Sequence, residues 1–253
     1  MRFERMRPDQ LRTARDGGLP FVLPIGVLEY HGEHLPSGVD LLAVTEVLDR
    51  LGDAVVVLPP FAYGAASHAV AGPEGTGTLH VDASALLPMV EGLFAALLAG
   101  GFRNIHGVIH HQTESFAQGM PTDLAFRLGA RNAIFRHQEA QKGAGWWGRQ
   151  EMADYYTRHA SAADPFNWIR IHPLFPKGSD FPFDHAGVGE TALMQALAPG
   201  AVDMTRALEG GYWYTETAPQ ATAALGERGV EIALGHLRAV LGLPVQDVKD
   251  CPP

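Results

Sequence analysis

The sequence predicts one α/β domain, a mostly parallel sheet covered by helices on both faces, and three observations carry that expectation. Short apolar runs rich in β-branched residues alternate with stretches of helical spacing, in strand, helix, strand order with short connections. At 29–34 and again at 110–114 an apolar run stops abruptly in a polar cluster, the pattern of strands whose C-terminal ends feed functional loops. At 253 residues, with 46% hydrophobic and 19% charged side chains, the chain is long and apolar enough for one sizeable core.

Residues 1–15 place Arg and Asp around Met6 and Leu11, which suits a short surface helix packed over the sheet. Residues 21–28 read as a buried strand that runs into an irregular loop holding Gly32, Pro36 and Gly38. Residues 41–51 form an amphipathic helix ended by Gly52, with Asp40 just before it in a position to cap it. A second buried strand covers 54–59, and a long glycine-rich loop without periodicity covers 61–78. That loop has no lysine behind its glycines and no Gly-x-Gly-x-x-Gly spacing, which excludes nucleotide binding. Residues 82–98 put Leu86, Leu87, Val90, Leu93, Phe94 and Leu97 on one helical side, and Gly100-Gly101 stops them. A third strand covers 102–109 and a long helix 122–141. Residues 143–183 are the densest in aromatic side chains and are expected to be an irregular lid or subunit interface rather than core. Residues 184–197 run from a polar loop into a short helix, 218–241 form the last helix, and 244–253 read as a frayed tail.

A net charge of −9 without a basic stripe excludes a nucleic-acid surface. The one cysteine, Cys251, excludes an intrachain disulfide frame and a thiolate metal site, and fits a reducing cytoplasm. No stretch has the length and apolarity of a membrane span or the pattern of a signal peptide, so a soluble protein is expected.

Glu29 and His31 stand two apart, so on an extended backbone both face the same side. Carboxylate and imidazole together suit zinc, manganese or iron, and an aspartate such as Asp40 can bridge two ions. An isolated Glu-x-His pair also occurs by chance, and His34 and His68 can equally well satisfy loop backbone. Adjacent His110 and His111 would point to opposite faces of a strand, so one of them joins Glu29 and His31 while the other is structural. Glu190 sits in the first turn of its helix, where the helix dipole favours a carboxylate with or without a metal.

Gly26-x-x-Glu29-x-His31-Gly32-x-His34-Leu35-Pro36-x-Gly38-x-Asp40 resembles, almost position for position, the first motif of the creatininase (creatinine amidohydrolase) family. Tyr63-Gly64-x-x-x-His68 with Gly75-Thr76 resembles the family's second element, and His185-Ala186-Gly187-x-x-Glu190-Thr191 its third motif. The stretch from Gly101 through His111 has the family's length from strand start to histidine turn. The resemblance covers 23–197 and implies a three-layer α/β/α sandwich, two divalent metal ions (zinc, manganese or iron) and often a ring-shaped homo-oligomer such as a hexamer. By position, Glu29, Asp40 and His111 would hold one metal, and His31 with the shared Asp40 the other. His185 would be the acid-base group. Ile109-His110-His111 departs from the family's Asn-Gly-His, and Gln112-Thr113 departs from the Tyr-Glu of creatininase proper, whose glutamate binds metal. Glu190, with Glu114 as second choice, is therefore expected to supply the missing carboxylate. Substrate contacts are expected from His34, His68, Gln112, Trp146 and Trp147, and interface contacts from Trp213.

The activity so implied is opening of a small cyclic amide at its C–N bond by a hydroxide bridging the two metals, with His185 passing a proton to the leaving group. Two alternatives stand beside it. One is opening of an inositol-derived cyclic ketone at a C–C bond, and the other is a metal-binding scaffold without turnover.

Overall fold

The computed structural model describes residues 1–159, 161 and 164–244, so Cys251 and all but the first residue of the expected tail lie outside the described residues. Four strands, β1 (Phe21–Ile25), β2 (Val56–Val57), β3 (Ile105–Ile109) and β4 (Ile169–Pro173), pair in parallel in the order β2-β1-β3-β4. The helices are α1 (Pro8–Asp16), α2 (Val39–Asp49), α3 (Ala83–Ala99), α4 (Pro121–Lys142), α5 (Tyr155–Arg158), α6 (Val188–Leu197) and α7 (Ala223–Leu241).

Strand periodicity divides the core into two layers. Val22, Val57 and Val108 face one side, where they pack with the apolar stripes of α2, α6 and α7. Leu23, Ile25, Ile105, Ile109 and Ile169 face the other, against α3 and α4. A smaller cluster of Ala14, Phe21 and Val56 seats α1 at the sheet margin. Burial of both sheet faces explains why these strands read as continuous apolar runs rather than alternating ones. The result is the expected α/β/α sandwich with an all-parallel sheet.

The chain leaves β1 for β2 on one side and returns to β3 on the other. The crevice at the carboxyl ends of β1 and β3 is thus a topological switch point, the place where open parallel sheets bind ligands.

Several boundaries differ from expectation. β1 ends at Ile25 rather than at 28, because the chain there passes against the start of α2: a Cβ on Gly26 would stand 2.6 Å from the Leu41 Cα. α7 begins at Ala223, where the Thr222 hydroxyl caps it by accepting from the Leu225 amide. Segment 143–183 divides in two, for 164–183 contributes to the core while the described residues of 143–161 are mostly exposed. It supplies the edge strand β4, and Phe175 and Phe181 stack at 5.1 Å inside the α2, α6 and α7 layer. Trp146 is buried too, while Trp147 and Tyr156 remain exposed. Among the described residues no helix is long and apolar enough to cross a membrane.

Candidate metal centre

Four stretches meet at the switch point. The loop after β1 carries Glu29 and His31, the start of α2 carries Asp40, the turn after β3 carries His110 and His111, and the approach to α6 carries His185 and Glu190. Gly26 brings the first two stretches together by admitting the α2 backbone. The glycine-rich loop pins the first in place, with the Leu79 amide donating to the Leu28 carbonyl and the Tyr30 amide to Thr78 Oγ1.

Asp40 is the second residue of α2 behind an N-cap at Gly38 and makes no capping bond, contrary to the expected capping role. Its Oδ2 lies 3.8 Å from His31 Nε2 and 3.7 Å from His111 Nδ1. His111 Nδ1 is also 3.6 Å from Glu29 Oε2, and His31 Nε2 is 3.4 Å from Glu190 Oε2. Three donor groups result, each with its ligand atoms within 4.8 Å of one another: Glu29, Asp40, His111; His31, Asp40, Glu190; and Glu29, His31, His185.

Neighbouring contacts fix how these side chains point. His31 Nδ1 donates to the Glu29 carbonyl at 2.9 Å, which leaves Nε2 as the lone-pair nitrogen facing the cluster. His185 Nε2 likewise donates to the Tyr30 carbonyl at 2.9 Å, leaving Nδ1 free 3.8 Å from Glu29 Oε2. Glu190 Oε2 accepts the Ala186 amide, and the Asp184 carboxylate takes the Gly189 and Glu190 amides at the start of α6. His111 reaches Glu29 and Asp40, whereas His110 stands in no donor group among the described residues but faces Glu190 Oε1 at 3.4 Å. The chain has left the strand at His110 and bends at His111, so the strict alternation of faces no longer holds, and Gln112 follows in the left-handed region at φ 52°.

Burial pushes the Glu29 carboxyl up to about 7, with Asp40 and Glu190 adding to the rise against the pull of His111. Burial opposes ionisation of Glu190 as well, but the imidazoles of His31, His110 and His185 outweigh it and hold that carboxyl down at about 2. The site therefore confines several anions with too little positive charge. His31 Nε2 and Asp40 Oδ2 are buried without a hydrogen-bond partner among the described residues. Buried polar atoms are ordinarily paired, so an unpartnered nitrogen and oxygen in one shell fit a divalent ion of the zinc, manganese or iron type.

A cavity of about 430 Å3 opens on the cluster, walled by Ser67, His110, Gln112, Glu114, Phe183 and His185 among others. Glu190, not Glu114, approaches His31 and Asp40, and Glu114 joins no donor group among the described residues. The expected substrate contacts fall in different places. Gln112 is on the wall, but His34 lies buried behind it with Nε2 donating to Thr191 Oγ1. His68 is exposed beside His80 and off the wall. Trp146 and Trp147 are also off it, beyond the C-terminal end of α4, a helix of 22 residues and so roughly 33 Å long. Conversely, His110, which the sequence left between a cluster and a structural role, is on the wall, and Tyr214, whose ring stands edge-on to His185 at 5.1 Å, was not singled out by the sequence. The doubled histidine was a visible signal for the first, and nothing in the sequence marks the second.

Fold and donor cluster together define a metal-dependent hydrolase of α/β/α architecture. The family model for creatininase, creatinine amidohydrolase, matches residues 4–241, and the chain belongs to the creatininase family. The creatinine amidohydrolase of Pseudomonas putida is 29% identical over 198 residues, covering 76% of this chain and 70% of that protein. A manganese creatininase structure superposes with a TM-score of 0.68 at 21% identity, over 95% of this chain and 98% of that one. A zinc-zinc form of a creatininase variant gives 0.63 at 23% identity, over the same 95% and 98%. At these identities the structural likeness speaks for the fold.

Proposed function

We propose that this chain hydrolyses the C–N bond of a small cyclic amide at a centre of two divalent ions. The observation that carries the proposal is the shared position of Asp40, whose Oδ2 stands between His31 Nε2 at 3.8 Å and His111 Nδ1 at 3.7 Å and so belongs to two donor triads. Glu29, Asp40 and His111 would hold one ion, and His31, Asp40 and Glu190 the other. Ions held there would supply a lowered pKa for water and polarisation of the carbonyl under attack. The relatives named for manganese and for a zinc pair support both the metal type and the number.

The chain's own groups do the rest. His185, its tautomer set by the Tyr30 carbonyl, takes up a proton at Nδ1 and hands it to the departing nitrogen. Gln112 and Ser67 offer amide and hydroxyl groups to the polar atoms of the ring, and Phe183 screens one side from water. At about 430 Å3 the cavity is near the low end of the roughly 300–1,000 Å3 usual for ligand pockets, which supports a small substrate. A homo-oligomer belongs to the same proposal and is supported by Trp213, which is 80% exposed.

His185→Ala tests the chemistry. Turnover of the best substrate in a cyclic-amide panel should fall on the order of 100-fold or more with metal content unchanged. The amide product should be one water heavier and carry a free nitrogen. Full activity in His185→Ala would remove the proton-transfer role. Ions bound with no cyclic amide opened would refute the function, as would a nitrogen-free keto acid released from a cyclic polyol ketone.

A further inference from the structure

Resting on the two-ion reading above, we propose that His110 is a positioning residue that holds the Glu190 carboxylate in its ligating orientation. His110 stands where the Asn-Gly-His pattern of the resemblance carries a glycine. It lies just past β3, buried, with its ring 5.7 Å from that of Phe175. Neither ring nitrogen meets a hydrogen-bond partner among the described residues, an expensive arrangement for an imidazole with no task. Its Nε2 lies 3.4 Å from Glu190 Oε1.

Glu190 has two oxygens with separate neighbours. Oε2 takes the Ala186 amide at 2.7 Å and faces His31 Nε2 at 3.4 Å, on the side of Asp40. Oε1 faces His110. An amide on one oxygen alone would leave the carboxylate plane free to turn about its last bond, whereas a donor at each oxygen fixes it. An N–H at His110 Nε2 would close the present 3.4 Å to a hydrogen bond as the carboxylate settles on an ion, since outer contacts of this kind orient ligating groups. A chain with a glutamate two residues after its histidine would need no such support. Here Thr113 offers no carboxylate, so Glu190 must supply it from another segment.

The test is ion binding, followed by competition with a chromogenic chelator and by the visible spectrum of the cobalt-substituted protein. His110→Ala should weaken the second of two ions by about 10- to 100-fold, the usual effect of losing an outer-shell partner, and leave the first unchanged. His110→Gln, which keeps an N–H donor, should recover most of the loss. It also serves as the check should the alanine variant fail to fold. The cobalt spectrum of His110→Gln should match the wild type in band position, because the ligands are the same. Unchanged affinity in His110→Ala, or failure of glutamine to rescue, overturns the proposal. So does an altered cobalt spectrum in His110→Gln, which would make His110 a ligand itself. Wild-type protein that binds fewer than two ions overturns the two-ion reading and this inference with it, whereas two ions bound with no effect of His110→Ala overturns this inference alone.

Discussion

Replacing Glu29 by Gln should stabilise the metal-free protein at alkaline pH while weakening its hold on metal. Burial among other carboxylates raises the Glu29 carboxyl from 4.5 to about 7. Between those values the folded chain holds a proton that the unfolded chain has released, so stability is fully present below pH 4.5 and is lost as pH rises through 7. At about 1.4 kcal/mol per pKa unit, the rise amounts to about 3 kcal/mol, an upper bound because neighbouring groups titrate with it. Urea denaturation of chelator-treated wild type and Glu29→Gln at pH 5 and pH 8 measures the difference. The variant should match the wild type within about 1 kcal/mol at pH 5 and exceed it by roughly 2–3 kcal/mol at pH 8. Zinc or manganese at one thousand times the dissociation constant should reverse the order, since binding to the folded state then stabilises the wild type by about 4.1 kcal/mol. A metal-free Glu29→Gln less stable than the wild type at pH 8, or a gap independent of pH, would refute the claim that crowded anions make this site costly to fold without cations.

Asp40→Asn should cost both ions, because Asp40 stands in two donor triads, whereas Glu190→Gln should cost one, and elemental analysis after dialysis counts them. Away from the centre, burial with Arg170 and His236 beside it holds His172 down at about 4, so this imidazole stays neutral in the fold. Its contribution is present above pH 6.5 and drains away as pH falls toward 4. His172→Gln should therefore flatten the fall in melting temperature across that window, with His106, also held well below its ordinary value, supplying the remainder. Gly226→Ala should destabilise by about 1–3 kcal/mol, because the new Cβ would stand 1.9 Å from the Ala192 carbonyl oxygen where α7 crosses α6. It should also weaken metal binding, since Glu190 lies on the displaced helix.

What the sequence made legible follows from how local each feature is. The strands β1 and β3 were visible because sheets buried on both faces write their strands as unbroken apolar runs, and α3 and α4 because their apolar residues recur at helical spacing. β4 was not, because Ile169-Arg-Ile-His-Pro173 is five residues long and sits inside a stretch of aromatic rings whose burial depends on α2, far earlier in the chain, and on α6 and α7 after it. Glu29, His31 and Asp40 share one motif, so their meeting was legible at short range. The approach of Glu190 to His31 is a contact across 159 positions that only the packing of α6 on α2 and α7 creates.

The two adjacent histidines mark where pattern reasoning stops. Alternation of faces holds only while the backbone stays extended, and the bend at His111 ends it, followed by the left-handed Gln112 three residues beyond β3. Non-glycine residues enter that region at an energetic cost that surrounding contacts must offset, and such strain gathers at functional sites. The turn that broke the rule is therefore the same turn that delivers two imidazoles to one group of carboxylates. A sequence that kept the strand straight would have sent one of them into the helical layer and left Glu190 with one neighbour fewer.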